Sequence, residues 1–567
     1  MTPSCLILLK TVKPACTNNR HIMMNARKLV VSIYLLILFL PTSAQEWQWS
    51  VPVNGKKGLV RAYLWIPPDC KKVRGVVLTQ HNMEEISILL DPQFRKSMGE
   101  IGFAEVWVSP SFNHLFNFKE GAGELFNAFM DSLANVSGYA ELNNAPIVGM
   151  GHSAAASWPY YFAAWNPART LACVSVSGQW PYVRNQFAPD IWSPEQNVDF
   201  IPCLETMGEY EAAATWSAIG LKEKQEHPLT PLSMLAVPAE GHFATSARKT
   251  AFIAFYIKKA ALYRLPPEQK GNQSPVLKPL DPSKTGWLAD KWHADALPSA
   301  SAAPVSMYKG NTAEAFWYFD KETVQQVEAY GALYKGLKPQ LIGIRQEGTM
   351  APQKNTHLQI DLNFLPEKDG VSFHLEGAFY DTVGSGSPRL SMWSGLPVGS
   401  TIGHAKDGGP ITIDWVAGPF KKIDDNTFAL QLGPGLEALP KNYVFTFIAR
   451  HNGDVQYKPI VQQAQMTIPA TLTEGKEQHI SFPPINNQQA GTKTILLNAV
   501  SDAGVPVYYY IQEGPAEIQG NKLVFTKIPP RAKYPVKITV VAWQYGKSVE
   551  PKLQTAVQVM QNFYIVK

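Results

Sequence analysis

One short segment places a serine between small residues at the junction of an apolar strand and a helix. An apolar run at residues 147–150 leads into Gly-His-Ser-Ala-Ala at residues 151–155, and a further apolar stretch follows. Gly-x-Ser-x-small in this context is typical of a nucleophile elbow, where a sharp turn lifts the serine hydroxyl above a sheet. Small side chains at Gly151 and Ala155 allow the strand and the helix to approach closely. Ser153 is therefore the predicted nucleophile, and the alternative interpretation is a purely structural turn.

A serine nucleophile needs a base and an acid that orients the base, and the acid is expected first along the chain. A strand-like run at residues 198–204 is followed by Gly-Glu-Tyr-Glu at residues 208–211. This matches the Gly-x-x-Asp turn that usually carries the acid, with glutamate in place of aspartate. Glu211 is the predicted acid, Glu209 is the alternative, and each could instead be a solvated surface charge.

The base is expected in a loop after the next strand. An apolar run at residues 234–237 is followed by Gly241 and His242, ahead of a helical stretch. We predict that His242 is the general base, with a helix-capping histidine as the structural alternative. His227, which precedes a proline, is a weaker competitor for the same role.

An oxyanion hole needs two backbone N–H groups aimed at the charge that develops on the substrate. One donor should be Ala154, the residue after the nucleophile. The other should lie in the loop after the strand-like residues 76–79, where the chain reads Gln-His-Asn-Met. A His-Gly pair is common at this point, and here Asn82 replaces the glycine. The sequence leaves Asn82 and Met83 as equal choices for the second donor.

These residues require a sheet whose strands end at one common edge. Six short runs that are apolar on both faces alternate with helical stretches between residues 46 and 265. This alternation predicts a parallel sheet covered by helices on both faces. The first two strand-like runs, at residues 47–53 and 59–66, alternate in polarity and predict an antiparallel edge.

Residues 45–265 resemble an α/β-hydrolase of the secreted esterase type. The resemblance rests on the serine elbow, the turn at residues 208–211, the Gly241-His242 loop and the loop of His81, and it covers under half of the chain. It implies a mostly parallel sheet of eight strands and chemistry through an acyl-enzyme, with no metal and no other cofactor.

The substrate pocket is expected from loops near this edge. Aromatic and basic side chains follow the sixth strand and could stack on a sugar ring or a feruloyl group, or pair with a substrate carboxylate. A hydrophobic loop packed on its own domain is the alternative interpretation. The predicted pocket residues are His81, His152, Trp180, Tyr182 and Arg184.

The chain after residue 265 changes character. Residues 266–305 are rich in proline and predict an extended linker. Residues 306–475 predict a β-rich middle domain that starts with one helix, capped by Asp320. Residues 476–567 predict a β-sandwich that resembles the immunoglobulin-like modules of secreted bacterial carbohydrate-active enzymes.

The front of the chain is expected to be a secretory signal. Arg27 and Lys28 precede twelve mostly apolar residues, 29–40, and small residues follow up to Ala44. This stretch is too short to cross a membrane, which needs about 20 residues. We expect cleavage near Ala44, a secreted mature chain, and translation that starts at Met23 or Met24.

Composition narrows the class of partner. The chain has 567 residues, and the 45 at its front carry five basic residues and no acidic one. Without them, 46 basic residues balance 46 acidic ones. A neutral chain lacks the positive surface of a nucleic-acid binder.

The sequence therefore predicts a secreted serine esterase. Its expected substrate is an ester, in the first place an acetyl or feruloyl group linked to a polysaccharide. A lipase, a polyester depolymerase or a peptidase is one alternative. A glycan-binding protein with a degenerate hydrolase scaffold is another. The sequence predicts no oligomeric state.

Overall fold

A computed structural model describes residues 47–53, 60–182, 192–267, 273–355, 359–435 and 442–567. The expected signal peptide and Arg184 lie outside these residues. The first eight strands form one sheet in the order β1-β2-β4-β3-β5-β6-β7-β8. Their bounds are β1 Trp49–Pro52, β2 Arg61–Trp65, β3 Gly75–Gln80, β4 Phe103–Ser109, β5 Ile147–His152, β6 Thr170–Val176, β7 Cys203–Gly208 and β8 Leu232–Val237.

Strands β3 to β8 run parallel to one another, and β1 and β2 are antiparallel additions at the edge. This is the α/β-hydrolase fold expected from the sequence. The helices of this part are α1 Glu84–Leu89, α2 Pro92–Glu100, α3 Ala122–Ser137, α4 Trp158–Trp165, α5 Ala213–Glu226 and α6 Ala247–Arg264.

Alternate side chains of the central strands point to opposite faces, which explains why the strand-like runs are apolar throughout. Val76 and Leu78 of β3 pack towards α3 and α4, whereas Val77 packs towards α2 and α6. Helices therefore cover both faces, as predicted. The sheet buries Cys173 and Cys203, which are free thiols like Cys70.

The predicted linker at residues 266–305 is wrong as an extended connection. It contains strands β9 Trp287–Asp290 and β10 Ala303–Pro304, which form a three-stranded sheet with β11 Ala315–Tyr318. Leu277, Leu280 and Leu288 are buried in the same core as α6. The prolines therefore mark a chain that follows the surface of the hydrolase part closely.

The segment that opens the predicted middle domain also belongs to the hydrolase part. Helix α7 Lys321–Ala332 begins after Asp320, whose side chain accepts the N–H of Thr323, as expected for its cap. The hydroxyl of Tyr318 donates to the Met234 carbonyl on β8 at 2.8 Å. Lys259 of α6 forms an ion pair with Asp320 at 2.6 Å.

Three small sheets make up the β-rich middle part, around a core that also takes in residues of the hydrolase part and of the end of the chain, namely Tyr210, Ala239, Tyr510, Val541, Trp543 and Tyr545. Their strands are β12 Ile342–Gln346, β13 Thr349–Met350, β14 Ile360–Leu362, β15 Ser372–His374, β16 Glu376–Phe379, β17 Thr412–Ala417, β18 Phe420–Lys422, β19 Thr427–Leu430, β20 Asn442–His451 and β21 Ile460–Pro469. One helix, α8 Pro388–Ser394, lies among them. Its Trp393 packs against the hydrolase part, so the middle part is attached directly to the site described below.

The last part is a β-sandwich of two packed sheets with a small additional pair of strands, the architecture expected at this end of the chain. Its strands are β22 Ile480–Ser481, β23 Gln488–Gln489, β24 Thr494–Leu496, β25 Val500–Ser501, β26 Tyr508–Glu513, β27 Ala516–Gln519, β28 Lys522–Phe525, β29 Val536–Trp543 and β30 Val559–Val566. Gly520 has a φ of +63° in the tight turn between β27 and β28.

The described residues between 47 and 567 form one compact unit. The core of the sandwich is continuous with the core on one face of the hydrolase sheet. Within the described ranges, no helix is long and apolar enough to cross a membrane.

Candidate active site

Ser153 stands on a sharp turn between β5 and α4. Its φ is +52°, a strained value for a residue with a side chain. A Cβ placed on Gly151 would lie 2.0 Å from the Ala155 carbonyl oxygen, so only glycine allows this close approach. The turn leaves Ser153 partly exposed and its neighbour Ala154 exposed. The positive φ of Ser153 and the exposure of this turn are both typical of a nucleophile elbow.

His242 lies between the predicted nucleophile and the predicted acid. Its Nε2 is 2.7 Å from Ser153 Oγ, and its Nδ1 is 2.5 Å from Glu211 Oε1. Because a carboxylate only accepts hydrogen bonds, the ring proton belongs on Nδ1. Nε2 is then the acceptor for the serine hydroxyl. The arrangement can therefore move the proton of Ser153 onto the imidazole.

The competing acid and base are occupied elsewhere. Glu209 accepts the Ala239 N–H at 2.8 Å and pairs with Lys458 at 3.3 Å. The His227 ring stacks on Tyr182 with 3.6 Å between ring centroids, and desolvation lowers its pKa. The structure thus brings Glu211 and His242 to Ser153, and it does not bring Glu209 or His227 there.

His152 is buried beneath the site, and its predicted place in the substrate pocket is wrong. Its Nε2 donates to the His242 carbonyl at 3.0 Å, and its Nδ1 is 3.4 Å from the Asn82 amide nitrogen. Burial lowers the pKa of His152 well below its usual value, so the ring is neutral. His152 therefore ties the loop of His242 to the loop after β3.

The loop after β3 does not present the expected second oxyanion donor. The N–H groups of Asn82 and Met83 point to Glu85 Oε2, at 3.3 and 2.7 Å. Glu85 Oε1 also accepts the N–H of His152 at 2.7 Å. The prediction of a free N–H at residue 82 or 83 therefore differs from the structure, because Glu85 on the first turn of α1 folds back over the loop.

Buried charges support the loop from behind. Lys249 at the start of α6 lies 3.1 Å from Glu84 and 3.6 Å from Glu240. Burial raises the pKa of Glu84 to about 7 and the pKa of Glu85 to about 8. Sequence reasoning missed Glu84, Glu85 and Lys249. The adjacent glutamates directly after Met83 were the available signal.

His81 lies on the loop after β3, directly before Asn82, and its place in the substrate pocket stays a prediction. Its N–H donates to the Val108 carbonyl at 2.7 Å, and its ring meets the edge of Trp107 with 5.6 Å between centroids. Desolvation lowers the pKa of His81 to about 4. The imidazole is therefore neutral, and it packs on an indole that is itself buried in the core.

Trp180 and Tyr182 do not line the site. Trp180 is fully buried, stacks on Phe316 and donates its indole N–H to the Trp216 carbonyl at 2.8 Å. Tyr182 packs on His227, which precedes β8, and therefore lies towards the opposite edge of the sheet. Both predictions were wrong because the chain after β6 packs onto α5, as in the hydrophobic-loop alternative.

Across the residues that the structure describes, no group of three or more histidine, cysteine, aspartate and glutamate side chains could hold a metal ion. The chemistry that the geometry offers is proton transfer between Ser153 and His242.

No protein-family model matches the chain, and no curated protein matches its sequence. Among solved structures it is similar to a dienelactone hydrolase from Anabaena variabilis, at 18% identity and a TM-score of 0.27, over 39% of this chain and 97% of that one. It is also similar to Est1E from Butyrivibrio proteoclasticus, at 13% identity and a TM-score of 0.27, over 38% and 97%. A third similar structure is an esterase from Pyrobaculum calidifontis, at 15% identity and a TM-score of 0.28, over 44% and 96%.

Proposed function

We propose that this protein is a serine hydrolase that cleaves carboxylic esters through an acyl-enzyme. The observation that carries the proposal is the unbroken hydrogen-bonded series from Ser153 through His242 to Glu211. Such a series allows a serine to attack a carbonyl group at neutral pH, because the base removes its proton as the bond forms. It also speaks against a binding protein with a degenerate scaffold.

The reaction has two steps. His242 takes the proton of Ser153 as Oγ attacks the ester carbonyl, and Glu211 stabilises the imidazolium that forms. His242 then gives this proton to the leaving alcohol, and water repeats the sequence on the acyl-enzyme. The N–H of Ala154 is the first donor to the oxyanion. A second donor at Asn82 or Met83 requires that this N–H turns from Glu85 towards the substrate.

The substrate class is proposed as acetyl or feruloyl esters on a polysaccharide. The signal-like front of the chain and its β-rich parts support an extracellular polymer as the target. The ring of His81, on the loop after β3, is neutral, which supports an uncharged acyl or sugar group near that loop.

Hydrolysis of p-nitrophenyl acetate tests the reaction. Ser153→Ala should lower kcat by about 10⁴-fold or more, because the nucleophile is lost. Its circular dichroism spectrum and melting temperature should match those of the unaltered protein. Full activity in Ser153→Ala would overturn the proposal.

A panel of natural esters tests the substrate class. Acetylated xylan, acetylated pectin and methyl ferulate are compared by the acetate or ferulate released. Release from at least one of them, absent in Ser153→Ala, is expected. Activity confined to long-chain lipid esters would contradict the polysaccharide assignment.

A further inference from the structure

The loop that carries His242 is bonded to the β-rich middle part of the chain. The Val461 N–H on β21 donates to the Ala239 carbonyl at 3.2 Å. Two residues further along β21, the side-chain oxygen of Gln463 accepts the N–H of Phe243. Phe243 directly follows His242, so the hydrogen bond is made next to the imidazole. The histidine loop is thus held by a residue that lies 220 positions later.

Gln463 also meets the loop on the other side of His242. A Cβ placed on Gly241 would lie 2.9 Å from the Gln463 side-chain oxygen. Glycine at this position therefore lets the amide reach the Phe243 N–H. The residues before and after His242 both contact the same side chain.

The Gln463 side chain is itself held in place. It is fully buried, and its backbone N–H lies 3.4 Å from Gln359 Oε1. The same oxygen of Gln359 accepts the side-chain amide of Gln462 at 2.7 Å. A buried side chain on a strand with such neighbours has few other rotamers, so its acceptor stays at one point in space.

The turn that carries Glu211 is attached to the middle part as well. Lys458, which precedes β21, pairs with Glu209 at 3.3 Å. The Trp393 indole donates to the Tyr210 carbonyl at 2.7 Å and stacks on the Tyr210 ring, with 5.1 Å between centroids. Both residues that precede Glu211 therefore contact the β-rich part.

We propose that Gln463 is a positioning residue for His242, and that the β-rich middle part is a working component of the active site. The inference rests on the proposed function of His242 as the general base. The amide holds the backbone at Phe243 without adding charge beside the imidazole. Loss of its oxygen leaves a buried N–H unpaired, and the loop must move to find another acceptor. A shift of about 1 Å in a reacting group can cost about 100-fold in rate.

Two substitutions at Gln463 separate positioning from simple packing. Gln463→Leu keeps the volume but removes the acceptor, and kcat for p-nitrophenyl acetate should fall about 10- to 100-fold with KM within about twofold. Gln463→Glu restores the acceptor and should recover kcat to within about threefold of the unaltered protein at high pH.

The glutamate variant carries a second signature. A carboxylate near His242 favours the imidazolium, so the acidic limb of the kcat/KM profile should move to higher pH. Gln463→Leu, which adds no charge, should leave this limb in place. A matched control is Gln465→Leu, on the same strand. Among the described residues the Gln465 side chain has no hydrogen bond to the loop that carries His242. The kinetics of Gln465→Leu should therefore match those of the unaltered protein.

The titration of the His242 ring, followed by proton NMR, separates this inference from the proposed function. If the protein hydrolyses no ester but the ring titrates at higher pH in Gln463→Glu than in the unaltered protein, the contact stands and the esterase proposal falls. If Ser153→Ala is inactive while Gln463→Leu retains full kcat and an unchanged pH profile, the esterase stands and the positioning role is overturned.

Discussion

Glu209 and Glu211, which lie on the same turn, have different roles. Glu211 bonds the ring of His242, whereas Glu209 bonds a backbone N–H and Lys458. A carboxylate at Glu211 fixes which nitrogen of the ring carries the proton. A carboxylate at Glu209 fixes the path of the backbone.

Glutamine at each position should separate these roles. Glu211→Gln should lower kcat by about 10⁴-fold, because an amide can stabilise the wrong ring tautomer and cannot stabilise the imidazolium. Its melting temperature should change little. Glu209→Gln should keep kcat within about tenfold and lower the free energy of unfolding by about 1–3 kcal/mol, because Lys458 loses its buried partner.

Activity assays and urea unfolding on both variants check this pair. If Glu209→Gln were the inactive variant and Glu211→Gln the active one, the assignment of the acid would be reversed.

The sequence located residues whose chemistry has a local signature. Ser153 lies in a short motif, and His242 and Glu211 follow strands that an apolar run reveals. Glu85 has no such signature, because its role depends on its side chain turning back to accept the N–H of Met83 in the loop after β3. The burial of Trp180 could not be predicted either, since the sequence does not distinguish an aromatic loop residue that lines a pocket from one that packs in a core.

At the scale of elements, the junction of β5 and α4 depends on close contact of backbone with backbone. Gly151 and Ala155 are the two positions where this contact is made. Helix α4 does not follow Ser153 directly but begins at Trp158, after a short 3₁₀ turn. Pro159 in its first turn explains the later start, since proline lacks an N–H and suits this position.

Gly151→Ala tests the junction. The new methyl group has no room beside the Ala155 carbonyl, so the free energy of unfolding should fall by about 1–3 kcal/mol. The displaced elbow should also lower kcat. Urea unfolding and p-nitrophenyl acetate turnover measure the two effects.

Ala155→Gly is the control for that substitution. It removes a methyl group and leaves the approach open, so its kcat should stay close to that of the unaltered protein. Equal loss of kcat in both variants would show that the junction tolerates neither change, against the steric argument.

At the scale of the whole molecule, several glutamates are buried with raised pKa values. Burial raises the pKa of Glu85 and of Glu223 to about 8, and Glu105 to about 7. Each of these groups binds its proton more tightly in the folded chain than in the unfolded chain. Folding therefore takes up protons near neutral pH.

Stability should consequently fall as pH rises from 6.5 to 7.5. In this window the glutamates are ionised when the chain is unfolded, whereas Glu85 and Glu223 still hold protons when it is folded. Each contributes a loss of about 1.4 kcal/mol per pH unit. His81 and His152, with lowered pKa values, oppose this trend most strongly below about pH 6.5, and their opposition fades as pH rises through the window.

Urea unfolding at four pH values within the window measures the slope, and Glu223→Gln is the matched variant. Glu223 accepts the Tyr182 N–H at 3.3 Å, away from Ser153. Replacement of Glu223 should remove the contribution of this one carboxyl group to the decrease of the free energy of unfolding with pH. A free energy of unfolding that rises with pH in the unaltered protein would contradict the prediction.

The sequence predicted a mostly parallel sheet covered by helices and the β-rich end of the chain, but not how the parts join. The prolines between residues 266 and 305 indicated a linker, because a proline-rich composition predicts an extended backbone. Composition does not show which other part of the protein that backbone packs against. Leu277 and Leu280 are buried there, and two isolated leucines give no periodic signal. Long-range contacts such as that of Gln463 with Phe243 leave no local pattern at all.

The same contact has a consequence for the order of synthesis. A ribosome completes Ser153, Glu211 and His242 well before it reaches Gln463. The nascent chain therefore holds all three proposed reacting groups before Gln463 can bond to the loop of His242. Activity should therefore appear late, once β21 has been made and has docked. Replacement of the β-rich half by another sequence would also remove the side chain that holds the loop of His242.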